Sequence, residues 1–190
     1  NPKNFTDISR HWAKSEIDFV TERELFLGTG SNTFSPETGM TRAMFTAVLG
    51  RLYERSYGKL EMTGAGGRFS DADYTAYYGS YVDWANENDI ISGVGKGKFE
   101  PNRKITREEM AVMLYRFAEF LKVSTADSGT SQLRYSDAST ISAWAKDAAM
   151  YCQQTGIISG RNGGNFAPRG AATRAEVAAI LQRFIENTVK

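Results

Sequence analysis

Several features that mark common functional classes are scarce or absent in this sequence. Only one of its 190 residues is a cysteine, so no internal disulfide can form. This suits a cytoplasmic protein or an exported protein of a bacterium that makes few disulfides. The net charge is only +1 at pH 7, and no stretch approaches the ~18 apolar residues of a membrane span. We therefore expect neither nucleic acid nor a membrane as a partner.

One unit is present three times in the chain. A Phe-x-Pro run occurs at residues 34–36, 99–101 and 166–168, with Thr-Arg five residues after each proline and glycine six residues before each phenylalanine. Identical spacing in three places indicates a tandem repeat. We divide the chain into copy one (1–60), copy two (61–126) and copy three (127–190). Polar segments at residues 56–68 and 124–134 predict surface linkers between the copies.

Five sets of repeated positions are candidate ligand-binding residues. They are the arginines Arg42, Arg107 and Arg174, the threonines Thr41, Thr106 and Thr173, the aromatic residues Trp12, Tyr77 and Trp144, the glycines Gly28, Gly93 and Gly160, and the aspartates Asp7, Asp71 and Asp137.

Each copy predicts two helices joined by a glycine-rich loop. After each Thr-Arg pair, apolar residues recur at i, i+3, i+4 and i+7, which is typical of a helix with one buried face. The threonine occupies the N-cap position, and Glu109 and Glu176 complete a capping box that Met44 lacks in copy one. A shorter helix begins near the repeated aromatic residue and ends before the glycine. The predicted fold class is all-α.

The repeated arginine lies at the first helical position, where the helix dipole disfavours a cation. Three such arginines suggest use, because a helix N-terminus offers N–H groups to an anion and a guanidinium adds bidentate recognition of a carboxylate or phosphate. In the alternative interpretation each arginine forms a bridge to a carboxylate of its own or a neighbouring unit, such as Asp7, Asp71 or Asp137.

The other repeated positions also have two interpretations. The aromatic residues more often fill a core at such a position, although they can stack on sugar rings. The glycines are expected to supply positive φ at the end of the first helix, and close approach of a ligand is the alternative. The aspartates are interpreted as N-caps or turn formers ahead of that helix.

The order Phe-x-Asp, aromatic-Ala, Gly turn, Phe-x-Pro and Thr-Arg-Ala-Glu resembles the S-layer homology (SLH) domain over nearly the whole chain. The resemblance implies a pseudo-threefold spindle of three helix-loop-helix repeats around a central three-helix bundle. It also implies a non-catalytic module on the bacterial cell surface, outside the cell, in the same chain as a parent surface protein or exoenzyme. The implied partner is an anionic, pyruvylated cell-wall polysaccharide ending in pyruvyl-N-acetylmannosamine, whose carboxylate meets the motif arginine in grooves between repeats.

Departures from the family motif differ between copies. Met44 replaces the acid in copy one, Glu108 replaces the small residue in copy two, and Tyr77 replaces the tryptophan in copy two. Only copy three, with Thr173-Arg174-Ala175-Glu176, matches fully. We therefore predict a threefold fold with fewer than three equal sites.

Two other functional classes were considered. A helical-repeat scaffold for protein partners would use the arginines structurally. An enzyme is disfavoured, because a His11–Cys152 pair is the only candidate dyad and Cys152 aligns with core residues. No metal-ligand cluster, phosphate loop or nucleophile elbow is recognisable, so no metal or cofactor is expected.

Overall fold

A computed structural model describes residues 4–123 and 132–188. The helices are α1 (Lys14–Glu22), α2 (Arg42–Tyr57), α3 (Gly79–Glu87), α4 (Arg107–Phe120), α5 (Lys146–Gln154) and α6 (Arg174–Thr188), with four short 3-10 turns. No strand forms within these residues, only isolated β-bridges. The all-α prediction is confirmed. Most of the predicted linker at 124–134 lies outside the described residues.

The long helices α2, α4 and α6 begin where the capping signals predict. In each, the N-cap threonine hydroxyl accepts a hydrogen bond from the N–H three residues later, with distances of 3.0–3.2 Å. Glu109 and Glu176 return a hydrogen bond to their N-cap N–H, whereas in copy one the sulfur of Met44 is the acceptor. Every residue of the predicted apolar stripes is buried, which is why these helices are stable in this context.

The short helices α1, α3 and α5 begin two residues after the repeated aromatic residue. Each is followed by a residue with positive φ: Glu24, Asp89 or Gly156. The prediction that Gly28, Gly93 and Gly160 serve this purpose is therefore wrong. They lie further along the loop, and of the three only Gly160 has positive φ.

The copies pack on one another in a closed cycle. The long helix of each copy contacts the short helix of the next, so that α2 packs on α3, α4 on α5, and α6 on α1. Among the long helices, α2 contacts α4, and the rings of Phe117 (α4) and Phe184 (α6) lie 5.8 Å apart. The buried residues of all three copies form one core. The spindle and the central three-helix bundle remain predictions.

Backbone hydrogen bonds reinforce the same cycle at the start of each long helix. The first two N–H groups of α2 donate to the carbonyls of Arg103 and Pro101 in copy two, at 2.9 and 3.0 Å. Equivalent bonds join α4 to copy three and α6 to copy one. The expectation that these N–H groups are free to bind an anion is therefore wrong, because the neighbouring copy already uses them.

Among the described residues, no helix has both the length and the apolar character needed to span a membrane.

Candidate functional site: three surfaces between the repeats

The motif arginines are buried between copies. Arg42, Arg107 and Arg174 are only 3, 2 and 4% exposed. The Nε–H of each donates to the carbonyl of the Phe-x-Pro phenylalanine in the next copy, at 2.7–2.8 Å. Burial lowers the pKa of all three guanidinium groups from the usual value. A buried arginine needs a counter-charge, and the three copies differ in how they provide it.

A glutamate of the next copy pairs with two of the three arginines. Arg42 donates to Glu109 at 2.5 Å, and Arg107 donates to Glu176. These glutamates are the capping-box residues, so one carboxylate both caps its own helix and binds the arginine of the preceding copy. The bridging interpretation is thus correct for Arg42 and Arg107, although the partners are not the aspartates we named.

A further arginine contacts each glutamate. Arg103 binds Glu109 through two N–H groups at 2.8 and 3.0 Å, and Arg161 binds Glu176 at 2.6 and 3.0 Å. Burial alone would raise the pKa of both glutamates, but the arginines and the N-cap N–H more than offset it and hold each pKa below its ordinary value of 4.5. These two arginines occupy different motif positions, so the sequence comparison had not paired them.

Arg174 lacks this arrangement. Met44 stands where the glutamate would be, and no carboxylate lies within ion-pair distance of Arg174 in the part of the chain that the structure describes. Its guanidinium donates to the carbonyl of Leu27 at 2.5 Å and lies over the rings of Phe34 and Phe26, 4.5 and 5.7 Å from their centroids. The negative potential at an aromatic face offsets part of the cost of burying the cation.

The repeated aspartates hold the Phe-x-Pro loop rather than a helix end. The carboxylate of Asp7 accepts the N–H groups of Phe34 and Ser35, and Asp71 and Asp137 do the same in their copies, at 2.8–3.1 Å. Ser35 and its counterparts have positive φ, which is unfavourable for residues other than glycine. The N-cap half of the interpretation is therefore wrong, whereas the three aspartates do lie in turns ahead of the first helix of their copy, which was the other alternative. Each aspartate fixes the loop whose carbonyl receives the motif arginine.

Close packing, rather than backbone conformation, explains the glycines at 28 and 93. A Cβ added at Gly28 would lie 2.6 Å from the ring of Phe5, and one added at Gly93 would lie 2.7 Å from the carbonyl oxygen of Lys98. Both distances are too short for a real contact. At Gly160 the corresponding distance is 3.0 Å, and its φ of +103° also favours glycine.

The repeated aromatic residues are exposed, which contradicts their expected place in the core. Trp12, Tyr77 and Trp144 are 62, 56 and 60% exposed, among the most exposed large apolar side chains of the described residues. The neighbouring positions Ala13, Tyr78 and Ala145 are buried instead. Exposed aromatic rings beside a polar cleft favour the sugar-stacking interpretation.

Two grooves of the same composition result. The Arg42 groove, with a cavity of about 410 Å³, is lined by Arg42, Gly93, Glu109, Arg116 and Trp144. The Arg107 groove, of about 570 Å³, is lined by Arg107, Gly160, Glu176, Arg183 and Trp12. Each groove takes its motif arginine, its loop and long helix, and its aromatic residue from three different copies.

The third surface is built from the equivalent residues but has a different form. We call it the Arg174 surface; it comprises Leu27, Met44, Arg51, Tyr77 and Arg174. The guanidinium of Arg51 lies 5.9 Å from the ring centroid of Tyr77, and burial raises the pKa of Tyr77 more than the nearby arginines lower it. The nearby cavity, of about 660 Å³, is lined by Leu27, Arg51 and Tyr81 but not by Arg174. Phe26 occupies the place of Ile91 and Ile158 and packs beside Arg174, so this end of the surface is closed.

The sequence analysis missed a second repeated arginine. Arg51, Arg116 and Arg183 each follow the N-cap threonine by ten residues, and all three line cavities. Arg116 and Arg183 lie two helical turns beyond Glu109 and Glu176 on the same face. The constant spacing was a sufficient signal for finding them.

Glu108, which departs from the motif, has a structural role. It is 4% exposed, and its carboxylate accepts both the N–H and the hydroxyl of Ser142, at 3.0 and 2.8 Å. It therefore fastens copy two to the start of the short helical segment of copy three.

His11 and Cys152 do not form a dyad. His11 Nε2 lies 2.6 Å from the carboxylate of Glu37. Cys152 is fully buried in the core, as predicted, and burial raises the pKa of its thiol to about 12. A thiol in that environment is not a nucleophile at neutral pH.

Comparison with known proteins identifies the class. The sequence model of the S-layer homology domain matches residues 4–44, 68–111 and 134–178. The matches cover more than half of the chain and coincide with the three copies, so the protein belongs to the S-layer homology domain family. The resemblance stated from the motifs is confirmed. The family is that of cell-surface anchoring modules, which assigns the chain to the cell wall at the bacterial surface.

Relatives include both enzymes and S-layer proteins. The chain is 34% identical over 184 residues to exoglucanase XynX of Acetivibrio thermocellus, covering 97% of this chain and 16% of that protein. It is 34% identical over 186 residues to an amylopullulanase of Thermoanaerobacterium thermosulfurigenes (98% and 10%). It is 28% identical over 182 residues to an S-layer protein of Bacillus thuringiensis subsp. finitimus (95% and 21%). The chain thus spans a fifth or less of each enzyme relative and about a fifth of the S-layer protein.

Proposed function

We propose that this chain is the wall-binding part of a longer surface protein or exoenzyme, and that it binds a pyruvylated cell-wall polysaccharide without catalysing a reaction. The observation that carries the proposal is the similarity of the Arg42 and Arg107 grooves, which we call the like grooves. In each, an exposed tryptophan stands beside a cleft that has a guanidinium at its closed end. Tryptophan faces stack on sugar rings, and guanidinium groups recognise carboxylates.

The motif arginine has capacity left for a ligand. In the Arg42 groove its donors already bind Phe99 and Glu109, with a longer contact of 3.4 Å to the carbonyl of Ser92. Five N–H groups are present on a guanidinium, so two remain. In this proposal a pyruvyl carboxylate takes those donors, while the sugar ring lies against Trp144. In the Arg107 groove, Arg107 donates to Phe166 and Glu176, and Trp12 is the corresponding ring.

Co-sedimentation with purified cell walls tests the proposal. We expect the protein to pellet with walls that carry the pyruvylated polymer and to stay in solution with walls from which it has been extracted. Free pyruvyl-N-acetylmannosamine should compete. An Arg42→Ala/Arg107→Ala variant that remains folded by circular dichroism should not pellet. If removal of these ion pairs unfolds it, Arg42→Lys/Arg107→Lys, which keeps the charge but loses the bidentate geometry, should bind more weakly.

A protein-binding scaffold is the alternative, and the ion pairs of Arg42 and Arg107 favour it, because they assign those residues a structural role. Equal pelleting with extracted walls, or no competition by the free sugar, would support the scaffold and overturn polysaccharide binding.

A further inference from the structure

The second repeated arginine of each like groove has no carboxylate partner in the part of the chain that the structure describes. At the motif end of the Arg42 groove, Arg42 and Arg103 are balanced by Glu109 and Glu100, two cations against two anions. By contrast, Arg116 donates to the hydroxyl of Ser92 at 3.1 Å. It has no carboxylate within ion-pair distance among residues 4–123 and 132–188.

The motif end of the Arg107 groove also contains paired charges. Arg107 and Arg161 both bind Glu176, whereas Glu37, which lines the same cavity, lies against His11. Arg183 donates to the carbonyl of Ile157 at 3.2 Å, and within the described part of the chain it too lies beyond ion-pair distance of any carboxylate. Both second arginines are partly buried, which strengthens their attraction for an anion relative to a fully solvated charge.

The second arginine is a separate position from the motif arginine. Arg116 follows Glu109 by seven residues on α4, and residues 112 and 113 between them line the same cavity. The guanidinium of Arg42 donates to the carbonyl of Ser92 at 3.4 Å, and that of Arg116 donates to its hydroxyl at 3.1 Å, so Ser92 lies between the two groups. Since one pyruvyl group carries one carboxylate, an acidic group at each arginine would come from two different sugars of a glycan.

On the Arg174 surface the equivalent arginine has aromatic partners. The guanidinium of Arg51 lies 5.9 Å from the ring centroid of Tyr77 and 5.8 Å from that of Tyr81. The chain therefore contains its own reference position, with the same residue type at the same helical position and beside a cavity, but with two tyrosine rings next to the guanidinium.

We propose that Arg116 and Arg183 form a second anion-binding position in the two like grooves, and that the glycan segment bound there carries two acidic groups, one at the motif arginine and one at the second arginine. This rests on the proposed function. It extends it from recognition of one terminal acidic sugar to recognition of a dianionic segment of at least two sugars. A charge-assisted hydrogen bond in a partly buried groove contributes enough for about a tenfold gain in affinity.

Calorimetric titration with two synthetic disaccharides of equal length, carrying one or two pyruvyl carboxylates, tests the proposal. We expect the wild-type protein to bind the dianionic disaccharide about tenfold more tightly than the monoanionic one. An Arg116→Gln/Arg183→Gln variant should bind both about equally, and Arg116→Lys/Arg183→Lys should recover part of the preference. The matched control Arg51→Gln should keep the full preference.

A wild-type protein that binds both disaccharides equally would overturn this inference and leave the proposed function intact. So would a folded Arg116→Gln/Arg183→Gln variant that keeps the preference, or an Arg51→Gln variant that loses it. Failure of the wild-type protein to bind either disaccharide would overturn the proposed function, and this inference with it.

Discussion

The Arg42 and Arg107 grooves contain the same groups, whereas the Arg174 surface has replaced most of them. In each like groove a glutamate pairs with the motif arginine, an accessory arginine (Arg103 or Arg161) binds that glutamate, and a tryptophan is exposed. The Arg174 surface has Met44, no counterpart of the accessory arginine, and Tyr77. The glutamate and its accessory arginine are thus present or absent together, as expected if the carboxylate is stable there only with both cations.

This comparison changes the meaning of the sequence differences. Met44 belongs to copy one, Tyr77 to copy two and Arg174 to copy three. In the sequence Met44 and Tyr77 are separate departures from the family motif, whereas Arg174 belongs to an intact motif. Because the three residues are the equivalents of Glu109, Trp144 and Arg42 in the Arg42 groove, they belong to one surface in the structure. Copy three therefore does not supply one intact site, because its arginine and its glutamate belong to different surfaces.

The first prediction concerns the buried arginines and carries the largest effect. Arg107→Gln should lower the free energy of unfolding by about 3 kcal/mol, because it leaves Glu176 largely buried with one cation fewer. Arg174→Gln should cost about 1.5 kcal/mol, because it breaks hydrogen bonds to carbonyls without leaving a charge unpaired. Urea unfolding measures both values. Equal losses would show that the two environments do not differ as described.

The second prediction is the pH dependence contributed by the two glutamates of the like grooves. Glu109 and Glu176 have pKa values below 4.5 in the folded protein. A depressed folded-state pKa contributes stability above the unfolded pKa, which is lost as the pH falls through the folded value. Glu109→Gln/Glu176→Gln should therefore destabilise by about 2 kcal/mol at pH 7 and by much less at pH 3. A gap between wild type and variant that is constant with pH would argue against the ion pairs.

The third prediction restores the missing acid. Met44→Glu should raise the stability by about 1 kcal/mol, because a carboxylate oxygen replaces the weaker sulfur acceptor in the capping box of α2 and because Arg174 gains a carboxylate. Met44→Gln is the control that restores the cap alone, and it should give a smaller gain in thermal unfolding. Loss of stability in Met44→Glu would mean that the apolar surroundings of Arg174 cannot accept a charge without an accessory arginine.

The smallest effect is expected at the aromatic position. Tyr77→Trp should change the free energy of unfolding by less than about 0.5 kcal/mol, because the side chain is mostly exposed. It should also leave sugar binding unchanged, since the closed end near Arg174 remains. Appearance of an additional binding site in calorimetry would show that the tryptophan alone separates the like grooves from the third surface.

Local rules predicted most of the fold. The threonine caps, the apolar stripes of the long helices and the core position of Cys152 depend on residues close in sequence, and the structure agrees with them. The exposure of Trp12 and the role of Asp7 could not be predicted this way, because each depends on a loop or helix about 25 residues away or in another copy. The accessory arginines Arg103 and Arg161 were equally hidden, since different loop positions serve the same glutamate position.

The central claim is that two like grooves, and not the Arg174 surface, bind the wall polysaccharide. Calorimetric titration of the Trp12→Ala/Trp144→Ala and Tyr77→Ala variants with pyruvyl-N-acetylmannosamine tests it most directly. We predict that the double variant loses binding and that Tyr77→Ala binds like the wild-type protein. Retained binding by a folded Trp12→Ala/Trp144→Ala variant, together with loss in Tyr77→Ala, would contradict the claim.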